Sequence, residues 1–134
     1  MNLPRPLPEP PRVLRFTIEG EPVPAQMGAV FPDGRVAKQH PRVRSYKDRA
    51  RLLTSLNVRR AQWSAGPEES FAVTLRAFVG TLRVIDCDNI AKLALDCLKH
   101  IAFPDDRQVM RLLVEKALDR ERPRLEVEIE RLGS

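Results

Sequence analysis

The sequence predicts an α+β domain, α/β in the broad sense: a mixed sheet of about four strands with two main helices packed on one face. Three observations point to it. Segments near both ends and in the middle of the chain alternate apolar and polar residues with period two, as half-buried strands do. Two longer segments between them repeat at helical spacing instead. The resulting order, β, loop, α, β, α, β, β, suits a sheet and its helices in separate layers. At 134 residues the chain is one domain of ordinary size, with a core but no room for a second.

Residues 1–12 carry Pro4, Pro6, Pro8, Pro10 and Pro11. Proline removes backbone donors and favours extended chain, so this segment reads as a flexible tail and residues 13–134 as the domain. From Val13 to Glu19, Leu14, Phe16 and Ile18 share one side, and Arg15, Thr17 and Glu19 the other. That is the first strand. Gly20 to Pro41 is rich in Gly and Pro and predicts a long loop, in which Asp33-Gly34, between Phe31 and Val36, favours a small hairpin. Loops of this length in a compact domain are usually functional or disordered. Ser45-x-x-Asp48 reads as a capping box opening the first helix. Tyr46, Ala50, Leu53, Leu56 and Trp63 give that helix a buried side, and Gly66-Pro67 ends it.

Ser70 to Val79 alternates again, with Phe71, Val73, Leu75, Ala77 and Val79 on one face, as a central strand would. The second helix follows, its buried stripe formed by Ile90, Leu93, Ala94, Cys97, Leu98 and Ile101. Val109 to Leu118 is apolar on both faces, which suits a buried strand, with a short helix as the alternative. Asp119 to Pro123 is a turn. Leu125, Val127 and Ile129 then alternate with Glu126, Glu128 and Glu130 in the cleanest strand of the chain, whose acidic face should turn to solvent.

Charge is unevenly spread. The chain carries +5 with a sequence pI near 9.8, which points to an anionic partner, nucleic acid foremost. Between Arg35 and Arg51, seven cations (Arg35, Lys38, Arg42, Arg44, Lys47, Arg49 and Arg51) face one acid, Asp48. The remainder is close to neutral, so the positive field is local. Arginines and a helix N-terminus both suit phosphate.

The acidic counterpart is Asp86-Cys87-Asp88-Asn89-Ile90-Ala91-Lys92. If the approach is extended, Asp86 and Asp88 project together. Two like charges so close favour a bound cation, and an oxygen-rich site suits Mg²⁺ or Mn²⁺. Asp88 stands where an N-cap belongs. Asp88, Lys92 and Asp96 follow at i,i+4 along a polar face. A second acidic pair, Asp105-Asp106, lies beyond the helix. A helix ending near Lys99 climbs roughly 17 Å from its cap, and the seven residues onward to Asp106 span at most about 23 Å. Asp106 therefore returns to the Asp86 end only nearly taut, and otherwise belongs beside a second subunit's site. Taken singly these residues have plain structural readings: a cap, a solvated ion pair, a turn.

Taken together they do not. Asp86-x-Asp88-Asn89-Ile90-x-Lys92, Asp96-x-x-Leu98, Asp105-Asp106-x-Gln108-Val109 and Lys116 resemble the RusA-type Holliday junction resolvases, well over residues 69–131. The resemblance is looser at Ile18-x-Gly20-x-Pro22-Val23-Pro24. It implies that Asp86, Asp88 and Asp106 are catalytic, metal-binding carboxylates and that Lys92 is the essential lysine. It also implies Mg²⁺ (or Mn²⁺) as cofactor, four-way and other branched DNA as partner, and roles in recombination and repair. Two equivalent sites are needed to cut a four-way junction symmetrically, so a homodimer is expected. Arg35, Lys38, Arg42, Arg44, Lys47 and Arg83 are the candidate DNA-binding residues. Family members often carry several basic residues before the first aspartate, whereas this chain has only Arg83.

Other chemistries find little support. Cys87 and Cys97 fit no zinc spacing and no disulfide framework, and read as reduced thiols in a cytoplasmic protein. His40 and His100 stand alone, the former in the basic loop and the latter at a helix end, so no His–Ser or Cys–His arrangement competes. No apolar run approaches a membrane span, and nothing resembles a signal peptide. The rival readings are a nuclease acting on flaps or other branched DNA, and a non-catalytic binder of branched DNA whose acids are structural.

Overall fold

The computed structural model describes residues 4, 9–24, 29–30, 32–37 and 40–133. Of the proline-rich tail, residues 1–3 and 5–8 lie outside them. The junction of tail and domain is tied down. Arg131 donates from Nε to the Pro11 carbonyl at 3.0 Å, and from its backbone to the Arg12 carbonyl at 2.9 Å.

Four strands form a mixed sheet: β1 (Val13–Glu19), β4 (Ser70–Val79), β5 (Val109–Leu118) and β6 (Arg124–Leu132), in the order β1-β6-β4-β5. β6 runs antiparallel to both its neighbours, and β5 runs parallel to β4. β1, β4 and β5 thus end at the same edge of the sheet. A two-stranded hairpin of β2 (Ala29–Val30) and β3 (Val36–Ala37) occupies the long loop. It turns at Gly34, whose φ of +87° suits glycine. Two helices, α1 (Pro41–Arg60) and α2 (Cys87–Leu98), complete the α+β layer. No helix among the described residues is long and apolar enough to cross a membrane.

Register explains which face is covered. Leu14 pairs with Ile129 and Ile129 with Val73; Phe16 pairs with Val127 and Val127 with Leu75. These rows are buried and meet Val43, Tyr46 and Ala50 of α1 and Ile90, Leu93, Ala94, Cys97 and Leu98 of α2. On the opposite, helix-free face the glutamates of β6 do not stand as a bare acidic surface. Glu128 pairs with Arg15 at 2.9 Å, Glu126 with Arg124 at 3.1 Å and Glu130 with Arg12 at 3.6 Å. Three aromatics cluster in the core, where Phe71 lies 5.9 Å from Trp63 and 5.8 Å from Phe103 between ring centroids.

Several local expectations shift. α1 opens a turn before Ser45, because Pro41 suits a first helical position and His40 Nδ1 accepts from the Arg42 N–H at 3.1 Å. Ser45 and Asp48 are therefore interior residues. The helix also closes earlier, at Arg60. Trp63 lies beyond it, buried, with its Nε1–H donating to the Ala102 carbonyl at 2.7 Å. Starting from Pro41, the inward stripe is Val43, Tyr46, Ala50 and Thr54, which leaves Leu56 on the exposed side. α2 likewise starts at Cys87, so its N-cap is Asp86 and Asp88 sits in the first turn. β5 is a strand but not a buried one. Among the described residues it is an edge paired only with β4, and Met110, Leu112, Leu113 and Leu118 are exposed.

Candidate nuclease site

The common edge where β1, β4 and β5 end also receives the start of both helices. Arg49, in the third turn of α1, packs against Gly20 just after β1. The Gly80 N–H donates to Glu21 Oε1 at 2.7 Å, joining the exits of β4 and β1. Lys116 Nζ, near the end of β5, donates to the Leu82 carbonyl at 2.8 Å. The loop so held leads to Asp86 and α2.

Asp86 and Asp88 are both exposed on the first turn of α2. The alternation of an extended chain does not bring them together, because the helix has begun between them. Both stand instead at a helix N-terminus, where unpaired N–H groups and the dipole favour negative charge. The Asp86 carbonyl accepts from the Ile90 N–H at 3.0 Å, but its carboxylate makes no capping hydrogen bond. Lys92, one turn further on, is exposed.

The basic residues divide. Arg42 and Arg44 are exposed at the start of α1, and Arg83 is exposed in the loop before Asp86. Lys47 is different: its side chain is only 13% exposed and pairs with Asp96 at 3.2 Å. Arg51 donates to the Asp96 carbonyl at 3.3 Å. Asp96 is thus the joint between α1 and α2, engaged by Lys47 and Arg51. Arg35 pairs with Asp33 in the hairpin turn, and Lys38 lies outside the described residues.

Asp106 lies at the other end of the sheet. Val109 pairs with Phe71 near the start of β4, whereas Asp86 follows the end of that strand. The eight steps from Phe71 to Val79 amount to about 26 Å. Consistently, Lys99 at the far end of α2 contributes to holding the Asp105 carboxyl below its ordinary value, behind the larger effect of the Arg107 N–H bonded to it. Among the described residues, no three His, Cys, Asp or Glu side chains gather as a metal-binding group.

The family model of the endodeoxyribonuclease RusA matches residues 19–130. The chain belongs to the RusA family. No match was found among curated protein sequences. As a RusA family member the protein is an endodeoxyribonuclease, an enzyme that hydrolyses DNA phosphodiester bonds. The match spans the whole edge described above, from Glu19 and Glu21 through the Asp86 loop to Lys116.

Within this RusA-like frame, Asp105 has an assignable structural role. It caps the single 3-10 turn Asp106–Gln108, accepting from the Arg107 N–H at 2.9 Å, and Gln108 Oε1 accepts from the Asp105 N–H at 3.0 Å. Asp105-x-x-Gln108 is a capping-box spacing, so this signal was present in the sequence. Gln108 is buried, and its Nε2 also donates to the Gly66 and Glu69 carbonyls at 2.8 and 2.9 Å. Glu21 carried no sequence signal, since nothing in the pattern of a Pro-rich loop marks which residue will reach a distant strand. Cys97 is buried, which pushes its thiol up to about 11, while Cys87 is exposed between the two aspartates.

Proposed function

We propose that the protein is a Mg²⁺-dependent, structure-selective endonuclease that resolves four-way (Holliday) junctions by paired nicks, working as a homodimer in DNA recombination and repair. The observation that carries this reading is one sheet edge holding two exposed carboxylates, Asp86 and Asp88, beside the exposed basic start of α1. Mg²⁺ is commonly held by one or two carboxylates, with waters and phosphate oxygens completing its shell. Asp86 fits such a role because helix capping leaves its carboxylate unused. When bound, the ion lowers the pKa of a water and offsets charge on the scissile phosphate; Mn²⁺ would serve the same ligands.

Lys92, four residues after Asp88, presents its ammonium group to the phosphoryl charge that grows during cleavage. Arg42, Arg44 and Arg83, with Arg35 and Lys38 of the hairpin, hold flanking phosphates and carry little sequence information. Lys47 supports them indirectly, by fixing α1 to α2 through Asp96. Asp106 completes the carboxylate set from a second copy. β5 is a free edge, and two such edges placed antiparallel about a two-fold axis bring the start of one beside the end of the other. Asp106 of the partner subunit would then approach Asp86 and Asp88.

The deciding experiment is cleavage of a synthetic four-way junction with Mg²⁺, comparing the wild type with Asp88→Asn and using linear duplex as control. Paired nicks confined to the junction, lost in the variant while binding survives, are expected. Tight binding with no cleavage, unchanged by the substitution, would instead favour a non-catalytic binder. Cleavage of flaps or duplex would keep the carboxylate site and discard the four-way substrate.

A further inference from the structure

The loop at residues 80–85 has weak bonds of its own. The Arg83 N–H reaches Thr81 Oγ1 at 3.4 Å, and the Val84 N–H reaches the Thr81 carbonyl at 3.3 Å. Both lie beyond the usual range for a good hydrogen bond. Two charged side chains from other elements bond it more closely: Glu21 accepts from the Gly80 N–H at 2.7 Å, and Lys116 donates to the Leu82 carbonyl at 2.8 Å. Bonds in which one partner is charged are shorter and stronger than neutral ones.

The two side chains approach from opposite sides of β4. Glu21 follows β1, on the far side of β6, while Lys116 belongs to β5 and pairs with Ala77. A Cβ added at Gly80 would lie 3.4 Å from Glu21 Oε1, so the carboxylate packs directly on the bare glycine. Ile85, 3% exposed, pins the end of the loop into the core. Asp86 comes next, and its carboxylate makes no bond to the helix it caps. Its position is therefore inherited from the backbone of the loop.

We propose that Glu21 and Lys116 are positioning residues for the metal site. They clamp the loop so that Asp86 and Asp88 meet a divalent cation in one fixed arrangement, and they set the affinity for that cation without touching it. This inference rests on the nuclease reading above. Groups that orient metal ligands in this way commonly change affinity about 10–100-fold when removed.

The test uses the full-length protein and two readouts. Mn²⁺ binding is titrated by calorimetry without DNA, and the Mg²⁺ dependence of junction cleavage is measured separately. Glu21→Ala and Lys116→Met are expected to weaken Mn²⁺ binding and to raise the half-saturating Mg²⁺ about tenfold, with the rate at saturating Mg²⁺ largely kept. Glu21→Gln retains the acceptor oxygen and should stay close to wild type. An unchanged metal response in both disruptive variants overturns the proposal, as does a Glu21→Gln protein as impaired as Glu21→Ala. If Glu21→Ala does not fold, Lys116→Met decides alone, because it keeps the aliphatic stem. A wild type that binds Mn²⁺ yet cuts no junction removes the nuclease reading, and the clamp is then judged on the Mn²⁺ titration. A wild type that binds no Mn²⁺ overturns both.

Discussion

Gln108 shows how much one buried polar side chain can organise. It bonds the Asp105 N–H and the Gly66 and Glu69 carbonyls at once, joining the turn before β5 to the turn before β4. Replacing it by Ala leaves those groups without their partner, at an expected cost of about 2–3 kcal/mol in urea unfolding. Glu69, beside it, illustrates the electrostatic side. Its carboxyl lies below the ordinary 4.5 chiefly because it accepts from the Gly66 N–H, with Arg131 adding to the effect. A carboxyl lowered in the folded state contributes stability fully present above its ordinary value, and this is lost as pH falls through the folded one. Glu69→Gln should therefore lower the melting temperature near neutrality. The deficit should shrink on acidification below about pH 4.5, as the wild type loses the same contribution. A parallel offset at every pH would show that the charge of Glu69 is irrelevant.

β5 has the most unusual exposure among the strands. An edge strand offers unpaired N–H and C=O groups, and proteins normally shorten, charge or cover such edges. Here the edge is ten residues long with Met110 61% and Leu113 49% exposed. Leu113→Glu should leave the melting temperature of the subunit nearly unchanged, because the side chain contributes little to the core. It should shift the protein to a smaller species in light scattering, whereas unchanged mass would place any subunit contact elsewhere. This strand also marks the limit of what the sequence could reveal. Its apolar run predicted a strand correctly, but whether such a strand is central or at an edge depends on sheet order, which local pattern does not encode. β1, β4 and β6 were legible because each has one buried face and so alternates. Helix starts were less so. Ser45 looked like a cap by type, yet Pro41 and His40 supplied one earlier. Asp86 and Asp88 differ in role only because α2 begins at Cys87. The basic cluster was legible as composition, but composition could not separate exposed Arg42 and Arg44 from Lys47, which is tied to Asp96.

At the scale of the whole molecule, the geometry that matters most is the distance between the two acidic pairs. Within one chain the strand pairing sets Asp106 and Asp86 at opposite ends of the sheet, and among the described residues no group of three His, Cys, Asp or Glu side chains gathers around Asp86 and Asp88. An isologous dimer brings residue i of one copy to residue j of the other, and j to i. In the proposed dimer two composite sites arise together, as the proposed paired nicking requires. Mixing inactive variants separates this arrangement from one in which Asp106 acts in its own chain. Asp88→Asn and Asp106→Asn should each be inactive alone. In a mixed dimer with shared sites, one site collects both substitutions and the other collects none, so activity returns. With random association half the dimers are mixed and each holds one intact site, giving about a quarter of the wild-type sites. Their products should be single nicks rather than paired cuts. If Asp106 serves its own chain, every site in every mixed dimer carries one defect, and denaturing and refolding the two proteins together restores nothing.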